Sequence, residues 1–425
     1  MGRATSGSPS PSPFYTLMQR FSFLIATIVI LSGCRLGTDP TPYLVTLTPA
    51  ATPHTVSSET PVATVTETPS ETPTEPAPTS SVPTDTAAPP PPTEVPPTPA
   101  PTVDPWPAYM AAPGPSKMGI HVIFNDDPRI MEFIRRVKPR VVKAVDNHGF
   151  LAEVKQVSPQ TITIGRYTNN PFTSILDGKD PSQYPNPVDF AHNFIDYYIN
   201  EYRLNPGVEY WEGWNEPQWH TQAEWQWYGE FEANRACFMK DLGFKAAIGG
   251  FSAGTPEYAN MAYFIPGLEK AAQCNAIFTL HEYSSPTLQT GFNGGIPDAV
   301  HVNDAGSLTM RYRYWYEGYI KPRGFTIPLV ISEAGIDNGV GDGCPRKDGG
   351  QGWYSCYNDW DAMNLGGDKW RVYLDQLAWY DNLLRQDDYV IGFTIFSAGT
   401  SATSAWQTFN INDMLVPMAA YMASQ

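Results

Sequence analysis

Beyond Trp106 the chain alternates short apolar runs with longer stretches whose apolar positions recur every three or four residues. The runs predict eight strands, over Met118–Phe124, Arg140–Ala144, Thr161–Arg166, Val208–Trp214, Ala246–Gly250, Ala276–His281, Thr326–Ser332 and Val390–Phe396. Most are nearly continuous in apolar residues, as strands of a parallel sheet covered on both faces must be. The stretches between them carry helical stripes, among them Val188, Ala191, Ile195, Tyr198 and Tyr202, and Trp370, Tyr373, Leu377, Tyr380 and Leu384. These stripes read as helix faces packed on a sheet. Eight βα units in roughly 320 residues predict an α/β fold of the (β/α)8 TIM-barrel type, with functional residues at the carboxyl ends of the strands. An open doubly wound sheet is the alternative, but no GxGxxG or GxxxxGK[ST] follows any strand.

The pattern breaks down before Trp106. After Arg20 comes an apolar run of about eleven residues, too short to span a bilayer as a mature helix but suited to a signal-peptide core. It ends in Leu31-Ser32-Gly33-Cys34, which resembles a bacterial lipobox. That resemblance implies a signal peptide over 1–33, with translation starting at Met18 as an option, and lipidation of Cys34. From 34 to 105 the chain is rich in Thr and Pro, and between Thr38 and Pro105 it has eight acidic residues and no Lys or Arg. Such a segment cannot bury enough apolar surface to fold, and it reads as a disordered spacer reaching on the order of 200 Å. The expected domains are therefore the leader, the linker and a barrel over 106–425. The expected location is outside the cytoplasm, with membrane contact only through the lipid anchor.

Composition narrows the partners. With 27 Lys plus Arg against 43 Asp plus Glu, the formal charge is -16, half of it in the spacer, and no basic cluster suits nucleic acid. No CxxC or HExxH occurs, so neither a metal nor a cofactor is expected. Four Cys remain in the folded part, where an oxidising compartment permits disulfides. Cys344 and Cys356 bracket a Gly-rich loop and form the first expected pair; Cys237 and Cys274 are left for the second. The barrel is expected to act as a monomer.

Two carboxylates stand where strands open into loops. Strand four runs into Glu212-Gly213-Trp214-Asn215-Glu216-Pro217, and strand seven into Ile331-Ser332-Glu333. Strict alternation puts Glu212, Trp214 and Glu216 on one side, and Leu329, Ile331 and Glu333 likewise. A carboxylate at a barrel mouth is costly to desolvate without a partner or a task. Two that converge across a cleft are the minimum for glycoside hydrolysis, one protonating the leaving oxygen and the other attacking the anomeric carbon or activating water. On strand six, His281 and Tyr283 share a side. Lys143 and Arg166 are cations able to hold Glu333 ionised, or either pairs with Glu212 instead. His121 on strand one is a further pocket candidate.

The Asn-Glu-Pro after strand four, the His-X-Tyr of strand six and the Glu of strand seven resemble clan A of the glycoside hydrolases, the retaining "4/7" barrels. The resemblance covers about three quarters of the chain. It implies Glu216 as acid/base, Glu333 as nucleophile, Asn215 as partner of the substrate 2-hydroxyl, Tyr283 as hydrogen-bond donor to the nucleophile and His281 as neighbour of the acid/base. Two departures stand out: Lys143 is the nearest cation where many members have an Arg at the end of strand two, and Phe396-Ser397 where many have a Trp ending strand eight, a place that Trp406 is expected to fill. Trp219 and His220, and Trp353, Tyr354, Tyr357 and Trp360, are loop aromatics suited to stacking on sugar faces.

Together these features predict a retaining glycoside hydrolase acting on a β-linked glycan, with carboxyl groups about 5 to 5.5 Å apart. A non-catalytic carbohydrate-binding lipoprotein on the same barrel is the alternative. A third class enters through Gly250-Phe251-Ser252-Ala253-Gly254, which matches the GxSxG of serine esterases. Such an esterase needs a late general-base His, and the last is His301, with 124 residues still to come.

Overall fold

The computed structural model describes residues 104–344, 351–400 and 406–425, all within one compact unit. Cys34, the signal-peptide reading and all but the last two residues of the linker reading lie outside the described residues. Eight parallel strands close into a barrel in sequence order: β1 Met118–Val122, β2 Val141–Val145, β3 Ile162–Arg166, β4 Tyr210–Glu212, β5 Ala246–Phe251, β6 Ile277–Tyr283, β7 Leu329–Gly335 and β8 Val390–Ala398. Among the described residues ten α-helices accompany them: α1 Pro128–Val137, α2 Leu151–Val157, α3 Pro187–Leu204, α4 Gln222–Asp241, α5 Tyr258–Gln273, α6 Leu288–Phe292, α7 Tyr312–Trp315, α8 Tyr357–Ala362, α9 Lys369–Leu384 and α10 Leu415–Ala423. No helix among the described residues is long and apolar enough to cross a membrane.

All eight predicted strands are present. The largest shift is at β7, expected over 326–332 and found at Leu329–Gly335, while β4, expected over 208–214, is paired only over Tyr210–Glu212. The chain leaves the sheet at Gly213, and that early exit shapes the site described below.

Two apolar layers hold the barrel. Inside, Val141, Ile164, Ala247, Ile277 and Val330 from five strands pack on one another. Outside, the opposite strand faces pack on the helices, whose expected stripes are buried at Ala191, Ile195, Tyr198 and Tyr202 of α3 and at Tyr373, Leu377, Tyr380 and Leu384 of α9. Both expected disulfides form. Cys237–Cys274 joins α4 to the end of α5, and Cys344–Cys356 closes the loop after β7.

A buried ion pair fastens α4 to the strands that carry the site. Arg235 donates to Glu232 Oε2 at 2.7 Å, to the Ala247 carbonyl at 2.7 Å and to the Trp211 carbonyl at 3.2 Å. Tyr228 donates to Glu232 Oε1 at 2.8 Å. Both charges are fully enclosed, so their value lies in mutual satisfaction rather than in net attraction. Arg235→Leu should leave Glu232 buried and unpaired and lower unfolding stability by about 3–5 kcal/mol, read as a lowered urea midpoint.

Candidate active site

The site is assembled by strand ends that depart from strict alternation. In β7, Leu329 and Ile331 pack with the helix layer while Val330 faces the barrel interior. Strict alternation, the parity expected from the sequence, would therefore send Glu333 outward with Ile331. A bulge at Ser332 corrects this. Leu280 pairs with Ile331, but the next residue, His281, pairs with Glu333, so one extra residue of β7 re-aims Glu333 inward.

β4 uses a different device. Glu212 points inward, but Trp214, expected beside it, packs against Phe231 and Tyr228 of α4 and Phe194 of α3 at 4.7, 5.5 and 5.8 Å between ring centroids. Glu216 is then turned back to the mouth by a left-handed backbone, φ +48°. Its amide donates to the Gly250 carbonyl at 2.9 Å. Gly250 is itself at φ +60°, and a Cβ there would lie 2.9 Å from the Trp214 carbonyl. The glycine of the GxSxG match thus admits the Glu216 loop. Ser252 donates to Thr255 Oγ1 at 3.1 Å, and among the described residues no His bonds it, so the serine-esterase reading has no base in place there. A capping box at Thr221 and Glu224 starts α4 and ends this loop.

Five side chains surround Glu333. Lys143 Nζ donates to its Oε1 at 3.0 Å and Tyr283 Oη to its Oε2 at 3.0 Å. His281 Nδ1 and His121 Nδ1 each lie 3.7 Å away, and the Arg166 guanidinium 3.8 Å away. Burial opposes ionisation of Glu333, but His281, Lys143, His121 and Arg166 more than offset it and hold the carboxyl well below the usual carboxylate range. Burial, with Lys143 adding to it, pushes His121 well below the usual imidazole range. The competition expected for Lys143 resolves into sharing: its Nζ also lies 2.8 Å from Glu212 Oε2. Arg166 approaches the same Glu212 at 3.8 Å.

Glu216 sits in a wetter place, its side chain 37% exposed. His281 Nδ1 lies 2.8 Å from Glu216 Oε1, so His281 touches both carboxylates' surroundings. A carboxylate oxygen of Glu216, one of Glu333 and a ring nitrogen of His281 all lie within 4.8 Å of one another. That spacing would suit a metal ion as well, but Lys143 and Arg166 put two positive charges beside Glu333 and oppose a cation there.

Next to Glu333, a pocket of about 250 Å³ is lined by His121, Phe124, Asp146, Arg166, Phe396 and Trp406. Trp406, 37% exposed, meets the Phe396 ring edge-on at 5.2 Å, in the neighbourhood expected for it. Asn215 is exposed beside Glu216. Other aromatics lie elsewhere than expected. Trp219 is 6% exposed and packs on Trp214 and Tyr228. Trp353 and Trp360 are buried, donating to the carbonyls of Asn410 and Pro286. Phe124 and Asp146 were missed as pocket residues: Phe124 was read as the last residue of strand one, which ends at Val122, and Asp146 lies just past β2.

No family model matches the chain, and no curated protein matches it. Among solved structures, it is similar to a family 39 glycoside hydrolase from Bacteroides cellulosilyticus WH2, at 12% identity and TM-score 0.46, over 73% of this chain and 63% of that one. It is similar to a glucosidase from Croceicoccus marinus, at 12% identity and TM-score 0.43, over 73% and 69%. It is also similar to a beta-glucuronidase from an uncultured Clostridium sp., at 13% identity and TM-score 0.41, over 73% and 50%. The chain thus spans about half to two thirds of the length of these proteins. The functional reading rests on the side chains described above and not on these likenesses.

Proposed function

We propose that the protein is a retaining glycoside hydrolase that cleaves β-glycosidic bonds of an oligo- or polysaccharide by double displacement, displayed outside the cytoplasm on a lipidated Cys34. One observation carries the reading: Glu216 and Glu333 offer oxygens within 4.8 Å of each other, with His281 between them. Inverting enzymes keep their carboxyl groups roughly 6.5–9.5 Å apart to seat a water, whereas retaining ones hold them at about 5–5.5 Å. The β configuration follows from the clan A resemblance of Asn-Glu-Pro, His-X-Tyr and the Glu of β7.

In this mechanism Glu333 is the nucleophile. Held ionised by Lys143 and Tyr283, its oxygen bonds the anomeric carbon as the glycosidic C–O bond breaks, and Glu216 gives its proton to the leaving oxygen. Glu216 then takes a proton from the water that displaces Glu333, restoring both groups. Esterification removes the charge of Glu333, and Lys143 keeps Glu212 as its counter-ion, so no buried ammonium is stranded. Asn215 takes the substrate 2-hydroxyl, and the pocket of Arg166, His121 and Trp406 holds the sugar on the side of Glu333 away from Glu216.

Glu333→Ala should cost on the order of 10³-fold or more in turnover, and azide should restore activity with a product of inverted configuration. Labelling of Glu216 instead of Glu333 by a 2-fluoro glycoside would reverse the assignment; binding of glycans with neither label nor turnover would leave a carbohydrate-binding protein. Glu216→Ala should still form the covalent intermediate from a nitrophenyl glycoside, whose leaving group needs little protonation, and then stall, a burst followed by slow release. Lys143→Met should unpair two buried carboxylates and destabilise the fold by about 3–5 kcal/mol near neutral pH. Because the depressed ionisation of Glu333 contributes stability only above the ordinary carboxylate range, the gap between wild type and Lys143→Met should narrow as pH falls below about 4.5, measured by urea titrations across pH.

A further inference from the structure

The residue between His281 and Tyr283 points the other way. Glu282 is 1% exposed, on the helix side of β6, where its Oε2 accepts from the Met310 amide at 2.7 Å and the Tyr380 hydroxyl at 2.6 Å, and its Oε1 from the Tyr312 amide at 3.0 Å. All three partners donate, two of them obligatorily, so the geometry suits a carboxylate and not an acid or an amide. Among the described residues no cation touches it. The Arg311 guanidinium acts only through space, donating instead to the carbonyls of Ser307 and Pro256. The groups facing it are Tyr380 from α9, with Tyr312, Arg311 and, farther off, Arg313 from the segment leading into and along α7; Asp387 takes the Tyr312 hydroxyl and Arg313, and Ala334 is its neighbour on β7.

We infer that Glu282 is a positioning residue for the two catalytic carboxylates: its ionised form clamps the top of β6 to the Met310–Tyr312 turn and α9, and so sets where His281 holds Glu216 and Tyr283 holds Glu333. The inference rests on the glycosidase reading for its effect on turnover, but not for its effect on Tyr283. Protonation would remove an acceptor from a site that supplies only donors and would loosen the clamp. Burial pushes the Glu282 carboxyl up to about 7, against the Tyr380 hydroxyl and the Tyr312, Met310 and Arg311 amides, which lower it. The clamp therefore tightens as pH rises through neutrality.

The test is the 13Cζ-tyrosine spectrum of the full chain between pH 5 and 9, with Tyr283 assigned through Tyr283→Phe. The Tyr283 signal should shift with a midpoint near pH 7. Tyr380→Phe, which removes a donor that favours the Glu282 carboxylate, should move that midpoint to higher pH, and Glu282→Gln should abolish it. On a nitrophenyl glycoside, Glu282→Gln should lower kcat by about 10-fold with KM within about twofold, and the acid limb should follow the same two substitutions. A Tyr283 midpoint indifferent to both substitutions would overturn the inference, as would a folded Glu282→Gln with wild-type kcat and pH profile. Should Glu282→Gln fail to fold, Tyr380→Phe alone decides. A coupled Tyr283 signal in a protein that cleaves no glycan would uphold the clamp and remove the glycosidase reading instead.

Discussion

Lys143 is the charge on which the rest of the site depends. It lies fully buried between two carboxylates, 2.8 Å from Glu212 and 3.0 Å from Glu333. Enclosing three charges is tolerable only if each is partnered, since breaking such an arrangement costs about 3–5 kcal/mol. Satisfying Lys143 requires β2, β4 and β7 to present their ends in register. The same requirement fixes Glu333 as an anion, which is the state that a nucleophile needs. Stability and the proposed chemistry thus call for the same geometry, with Glu212 as the standing counter-ion of Lys143.

That geometry needs irregular strands. A strand of strict period two that buried Leu329 and Ile331 against helices would have to bury Glu333 there as well. The extra residue at Ser332 resolves the conflict. At β4 the early exit at Gly213 sends Trp214 into the helical layer, and the left-handed Glu216 brings a carboxylate back. A non-glycine residue in that conformation is strained, and the hydrogen bond from its amide to the Gly250 carbonyl helps hold it.

The eight strands and the helix stripes were legible because burial on two faces leaves apolar runs, and burial on one face leaves a period of 3.6. The carboxylates, His281, Tyr283, Lys143 and Arg166 were legible as chemistry-bearing residues at strand ends. The shared side of His281 and Tyr283 was legible too, but the sides of Glu333 and Trp214 were not, because a bulge or an early strand exit has no signature in the apolar pattern that it interrupts. Loop aromatics were the other loss. Trp219, Trp353 and Trp360 are large enough to seal a loop or to bind a sugar, and only their surroundings decide; here two of them spend their indole donors on backbone carbonyls of other loops.

β6 connects these features. β4 and β7 are three strands apart around the wall, roughly 14 Å at the spacing of adjacent strands. Two short carboxylates can close that gap only toward the barrel axis, where their mutual repulsion is greatest. His281 enters from the intervening strand and meets Glu216 at 2.8 Å and Glu333 at 3.7 Å, while Tyr283 two residues on donates to Glu333. One alternating strand end therefore supplies a hydrogen-bond partner to each carboxyl group. The outward residue between those partners is bound to experience any strain placed on them, since a shift of β6 that moves either of them must also move Glu282 against the Met310–Tyr312 turn and α9.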